Sequence, residues 1–417
     1  MSHQQSSSAP ANPHPAARAL ALAQQLPPDV VTLIAHFAST DNDVLRYETD
    51  ADLRRGATSF AQVCRAWRAA GTAAFWRQIV VSRFWPRLRA QLLLQSWVLA
   101  YVRSVVLPFP YGWEESRVSD AAILAACPLL TRLEICGYYG APGPLLRHLQ
   151  EGFNLAKIDT VVVNWPLFDR AGGAGGGAGR PGAPLSPLVL FPFLRSCTNL
   201  QSFHYQGWAE LVSSPSEALN ERRIRLRSLR LDISNSATSP HESHAHRSRM
   251  RFLLNFDLSR LVKFRAMMHL GRAESWDAIG RMVNVEVLSL LDDFKLEQGG
   301  FEELIEHLPR LRRLRRFELF IDNYEYPASP SSASHEQLQR LLDAIPPSVT
   351  HILLQVPIPE SMAGDFFAQR VRDGQLRRMT VITFDPLELA PTLSSSAYKH
   401  PDDDWFPMDD DDVPYYS

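Results

Sequence analysis

One spacing recurs along most of this chain and limits what it can fold into. It consists of an apolar residue, two others, a second apolar residue, one other, and a third apolar residue. The triples are Val102/Val105/Leu107, Leu130/Leu133/Ile135, Ile158/Val161/Val163, Leu200/Phe203/Tyr205 and Leu226/Leu229/Leu231. They continue as Leu261/Phe264/Ala266, Val285/Leu288/Leu290, Leu314/Phe317/Leu319, Val349/Ile352/Leu354 and Leu376/Met379/Val381. With 45 % apolar residues, chance alone gives about thirty such triples over this length, so the interval between them carries the argument. The ten units start on average about 30 residues apart. The residues just ahead also recur in kind: Cys127-Pro128-Leu129-Leu130, Cys197-Thr198-Asn199-Leu200, Met282-Val283-Asn284-Val285 and Leu308-Pro309-Arg310-Leu311.

Each of these turns follows an apolar, helix-like stretch, such as residues 119–126 or 301–307. The unit is therefore a helix, a turn and a strand, and it cannot bury its apolar face alone. Stacked neighbours make a continuous core and a curved parallel sheet. The longest interval, 42 residues from Ile158 to Leu200, holds the Gly/Ala/Pro-rich stretch 171–184. Removing that stretch returns the interval to 28 residues. The Ser-, Pro- and His-rich stretches 234–248 and 324–335 read as similar loops between units.

Ahead of the repeat stand two further pieces. The first is Leu26-Pro27-Pro28-Asp29-Val30-Val31, running into Leu33, Ile34 and Phe37. Pro28 suits the first position of a helix, where a missing N–H costs nothing. The apolar residues after it keep helical spacing. The second piece is Val63-Cys64-Arg65-Ala66-Trp67-Arg68, followed by Phe75-Trp76. Ser59 and Gln62 form a capping box that starts its helix, and a third short helix begins near Ala73. Three short helices with two tryptophans bury one another only partly and leave apolar surface for a partner or a following domain.

This pair of pieces resembles the F-box, a three-helix module that docks a substrate receptor onto a Skp-type adaptor of a ubiquitin ligase. The resemblance covers residues 24–82, with 39–58 longer and more acidic than the usual connection. It implies an adaptor-binding face made by Leu26, Pro27, Pro28, Val30, Ile34, Val63, Cys64, Trp67 and Trp76. The repeat resembles the degenerate leucine-rich repeats that follow an F-box in many receptors, although the regular asparagine of the strict form is missing.

The organisation expected is a disordered tail (1–24), an F-box (25–83, with the 39–58 insertion), a degenerate leucine-rich-repeat domain (84–390) and an acidic disordered tail (391–417). The fold class is α/β: three helices, then an irregular leucine-rich-repeat solenoid with a curved parallel sheet.

Formal net charge is −2, which argues against nucleic-acid binding across the whole chain. From Asp385 onward there are nine carboxylates and one lysine, so the remainder carries about six positive charges. The tail alternates acidic clusters at 402–404 and 409–412 with Trp405, Phe406, Tyr415 and Tyr416, a composition suited to disorder or docking. Four cysteines without a CxxC pair fit a reducing, cytoplasmic or nuclear compartment. No run of eighteen apolar residues predicts a membrane span.

The glycine run at 171–182 lacks the Gly-Lys-Ser/Thr ending of a phosphate loop. His241, Glu242, His244 and His246 have no second ligand pair at fixed spacing. No nucleophile–base or metal signature is present, so neither a catalytic site nor a cofactor is expected. The residues between the apolar strand positions should face the other side of the sheet: Glu134, Val162, His204, Arg230, Arg265, Ser289, Glu318, Leu353 and Thr380. With Lys263, the residues Arg230 and Arg265 make the middle of that face basic. Guanidinium groups suit an acidic or phosphorylated segment. In Arg222-Arg223-Ile224-Arg225 and in 310–316 the arginines alternate with core positions, as on a solvated face. The expected function is a non-catalytic substrate receptor that binds the adaptor and, through it, a cullin scaffold, and that holds a target protein on the repeats. The alternatives are a leucine-rich interaction scaffold without ubiquitination and an enzyme on an α/β fold.

Overall fold

A computed structural model describes residues 30–31, 67, 72, 76–80, 96–109, 126–137, 143–164, 187–208, 223–234, 250–268, 270, 272–292, 298–321, 335–355, 358–384 and 393–399. Twelve strands form one sheet, β1 to β12, and their spatial order is their sequence order. The strands are β1 (Gln78–Val80), β2 (Ser104–Phe109), β3 (Arg132–Gly137), β4 (Thr160–Asn164), β5 (Ser202–Trp208) and β6 (Ser228–Ser234). They continue as β7 (Lys263–Met267), β8 (Val287–Asp292), β9 (Arg316–Ile321), β10 (His351–Gln355), β11 (Arg378–Phe384) and β12 (Leu393–Lys399). Every pair from β1 to β11 is parallel, and β12 returns antiparallel to β11.

Each strand of the ten expected units thus lies beside the strand of the unit before it. Parallel neighbours need a crossover, and helices supply it between β3 and β4, β4 and β5, and each pair from β7 to β11. The described helices are α1 (Gly143–Gly152), α2 (Pro187–Ser196), α3 (Ala273–Gly280), α4 (Gln298–His307), α5 (His335–Ala344) and α6 (Glu360–Arg372). Single 3₁₀ turns at Leu155–Lys157, Leu258–Arg260 and Leu308–Arg310 lead into the following strands.

All apolar triples are buried, none more than 5 % exposed, and all belong to one core cluster. Helix residues such as Leu146, Phe193, Trp276, Leu304, Leu341 and Phe366 join the same cluster, so the helices cover that face. Register is kept without a slip: Val105, Leu133, Val161, Phe203, Leu229, Phe264, Leu288, Phe317, Ile352 and Met379 pair in one row. A one-residue shift would turn each apolar set toward the other face, so burial fixes it. Phe191, Phe203, Tyr205, Phe252 and Phe256 pack ring to ring at 5.1–6.4 Å and fill the space around β5.

A backbone chain runs along the leading rim of the sheet. The N–H of Arg103 donates to Arg77 O, Thr131 to Arg103, Asp159 to Thr131, Gln201 to Asp159 and Arg227 to Gln201. It continues from Val262 to Arg227, Glu286 to Val262, Arg315 to Glu286, Thr350 to Arg315 and Arg377 to Thr350, all at 2.7–3.0 Å. Two asparagines add side-chain links. Asn199 Nδ2 donates to Ala156 O and Asn284 Nδ2 to Ser259 O, each at 2.7 Å, from one position in their units to one position in the unit before.

Two expected boundaries change. Gln78–Val80, placed in the helical module, forms β1. Trp76/Ile79/Val81 repeats the apolar spacing 26 residues before Val102, so the array starts one unit earlier. Residues 393–399, placed in the acidic tail, form β12. That segment contains no carboxylate, and the unpaired edge of β11 offers it a full ladder of N–H and C=O groups.

Candidate functional site

Strand alternation sends every second side chain to the face opposite the described helices. Glu134, Val162, His204, Arg230, Arg265, Ser289, Glu318, Leu353 and Thr380 form one unbroken row there, as the spacing predicts. Beside it runs a second row: Arg132, Thr160, Ser202, Ser228, Lys263, Val287, Arg316, His351 and Arg378.

Three strands carry the same local device on this face, an arginine two residues before a carboxylate. Arg132 Nη2 lies 3.5 Å from Glu134 Oε2, Arg230 Nε 2.6 Å from Asp232 Oδ2, and Arg316 Nε 2.7 Å from Glu318 Oε1. The i, i+2 spacing places both side chains on one face of a strand, close enough to pair. Glu134 and Glu318 are buried, at 4 % and 6 % exposure, so these arginines neutralise charge that burial would otherwise penalise.

Asp232 is the hub of the central strands. Its Oδ2 accepts from Arg230 Nε and from His204 Nε2 (3.1 Å), and its Oδ1 lies 3.8 Å from Arg265 Nε. Burial alone would raise the Asp232 pKa. The His204 hydrogen bond and the Arg230 and Arg265 charges outweigh it and hold the carboxyl well below the usual carboxylate range. Burial is also the largest influence on His204 and lowers its pKa, with Asp232 opposing. The imidazole is therefore neutral at pH 7, and its Nε2–H donates to the ionised carboxylate. Burial, then the nearby Arg230 charge, draws the Arg265 guanidinium below its ordinary value. Arg265 also lies over the Phe320 ring, 5.9 Å from its centroid.

The expected basic centre is thus partly neutralised from within. Arg230 and Arg265 are half-buried and share Asp232, whereas Lys263 is exposed with no ion pair among the described residues. Asp232 was missing from the expected site. Its signal was present in Arg230-Leu231-Asp232, which matches Arg132-Leu133-Glu134 and Arg316-Phe317-Glu318.

Of the expected adaptor-binding residues, Val30, Trp67 and Trp76 are described, all helical. Val30 is exposed, and its neighbour Val31 is buried. Trp67 is half-buried. Trp76 is 7 % exposed and packs into the core shared with the sheet, so it holds the helical segment to β1. Leu26, Pro27, Pro28, Ile34, Val63 and Cys64 lie outside the described residues, as do the 171–182 glycines and His241, His244 and His246.

Among the described residues, only Glu303, Glu306 and His307 approach one another closely enough to share a cation. Glu306 is taken by Arg310 at 2.6 Å, and the His307 ring stacks on Trp276 at 5.6 Å. Cys127 and Cys197 are buried thiols, pushed by burial up to about 11 and about 12. Among the described residues, no helix is long and apolar enough to cross a membrane. No family model and no curated protein matches this chain.

Proposed function

We propose that this chain is the substrate-recognition subunit of a ubiquitin ligase of the Skp adaptor–cullin–F-box type. An F-box-like N-terminal module binds the adaptor, and a leucine-rich-repeat solenoid holds a target protein. The observation that carries the reading is the row of open-face side chains, polar at all of its positions but Val162 and Leu353, backed by a register-true stack of helix–strand units. A broad, preorganised face of this kind suits a protein ligand. The Leu-Pro-Pro-Asp and Val-Cys-Arg-x-Trp-Arg pieces supply the adaptor side by resemblance.

On this reading Arg230, Lys263 and Arg265 contact the target. Lys263 meets an acidic group directly, while Asp232 holds the two guanidiniums through their Nε atoms. Chemistry belongs to the partners, and this subunit contributes proximity.

Affinity capture tests both halves. Leu26→Ala with Pro27→Ala and Trp67→Ala should lose the adaptor and the cullin while keeping target proteins. Lys263→Glu with Arg265→Gln should do the reverse. Adaptor capture that persists in the first variant refutes the F-box assignment. Adaptor without cullin in the parent chain favours the interaction scaffold instead.

A further inference from the structure

A second basic site lies at the leading rim of the sheet, away from the Asp232 hub. A cleft of about 680 Å³ there is lined by Glu286, Arg312, Arg313, Arg315, Ser348, Thr350, His351 and Arg377. Glu286, Arg315, Thr350 and Arg377 are the residues just ahead of β8, β9, β10 and β11, and the rim hydrogen bonds join them in that order. Arg312, Arg315 and Arg377 are exposed and make no ion pair or side-chain hydrogen bond among the described residues. Arg313 Nη1 donates to Asn284 Oδ1 at 2.6 Å. Ser348 Oγ is buried without a hydrogen-bond partner. Four guanidiniums beside one carboxylate make an anion site.

The topology ends β12 beside it. β12 runs antiparallel to β11 and ends at Lys399, paired with Arg378, one residue from the cleft's Arg377. The chain that follows, Pro401-Asp402-Asp403-Asp404-Trp405-Phe406-Pro407-Met408 and then Asp409 to Asp412, carries seven aspartates and no cation. Arg315 lies three strand spacings from β12, about 15 Å. Asp402 to Asp404 follow Lys399 by three to five residues, a reach of about 10–17 Å for extended chain. Residues 400–417 lie outside the described residues.

We propose that the acidic C-terminal segment, residues 402–412, docks in cis on this arginine cleft and occupies it against other anions. The proposal stands independently of the ligase reading. A tethered acidic segment of short reach raises its local concentration at the cleft, so a free anion must compete with it.

A fluorescent peptide of residues 400–417 tests this. It is titrated against the intact chain, a chain ending at Lys399, and a full-length chain with all seven aspartates changed to asparagine. The chain ending at Lys399 should bind the peptide at least tenfold more tightly than the intact chain. The asparagine-tailed chain should match the shortened one, and added salt should weaken both. Arg312→Glu, Arg315→Glu and Arg377→Glu in the shortened chain should abolish binding. Should that variant unfold, the asparagine-tailed chain decides the matter. Equal binding by the intact and shortened chains overturns the proposal, because the cleft is then open to a second copy or another protein. Inorganic tripolyphosphate bound equally well by the intact and shortened chains overturns it too, in favour of a phosphorylated ligand.

Discussion

The two faces of the sheet share one backbone and obey opposite rules. Toward the helices, the triple positions from β2 to β11 hold only hydrophobic side chains, and each is nearly or fully buried. On the open face the composition changes along the array. Val106 and Val162 are buried near its start, an ion-pair network spans β5 to β7, and Leu353 and Thr380 stand half-buried near its end. The difference separates what makes the fold from what is free to specialise. Packing density leaves the covered face little latitude in volume. The open face must only satisfy the charges it carries.

Substitutions can sharpen or break this division. On the covered face, Phe317→Ala should cost about 3–5 kcal/mol by chemical denaturation, whereas Lys263→Ala on the open face should stay within about 0.5 kcal/mol. Comparable losses from the two would end the distinction. Asp232→Ala comes next, at roughly 2–4 kcal/mol, because it leaves Arg230 and Arg265 half-buried without their shared carboxylate. A neutral result would mean that the hub is solvated and structurally idle.

The smallest expected effect is on the pH dependence of stability. His204 resists protonation when folded, so below its ordinary value of 6.5 the unfolded chain takes up a proton that the folded chain refuses. Stability contributed by His204 is present above that pH and declines as pH falls through it. Asp232, held below its ordinary 3.8, adds a second decline only under stronger acid. Urea midpoints at about pH 7.5 and pH 5 should fall less in His204→Asn than in the parent. Parallel curves would contradict the assignment.

The covered face was legible because burial writes itself as periodicity. Leu229 and Leu231 are predictable from their spacing alone, and so is the direction of Arg230 between them. The unit at Trp76/Ile79/Val81 obeyed the same rule but stood inside a segment that resembled something else. β12 was not legible, since Leu393-Ser-Ser-Ser-Ala-Tyr-Lys has no apolar alternation, yet it pairs along its length with the edge of β11. The Asp232 hub was harder still. The repeat puts His204, Arg230 and Arg265 in one row, but it does not tell that all three converge on one carboxylate a row further along, a matter of side-chain reach across three strands.

The rim of backbone bonds from Arg77 to Arg377 has a mechanical consequence. The rim bonds tie each unit to the one before and the one after, so melting proceeds mainly as in a row of nearest-neighbour couplings. An end unit leaves at the cost of one interface, a central unit only at the cost of two. Solvent deuterium should therefore invade from the termini inward. The amides around β6 and β7, which frame the ion-pair hub, should be the last to exchange.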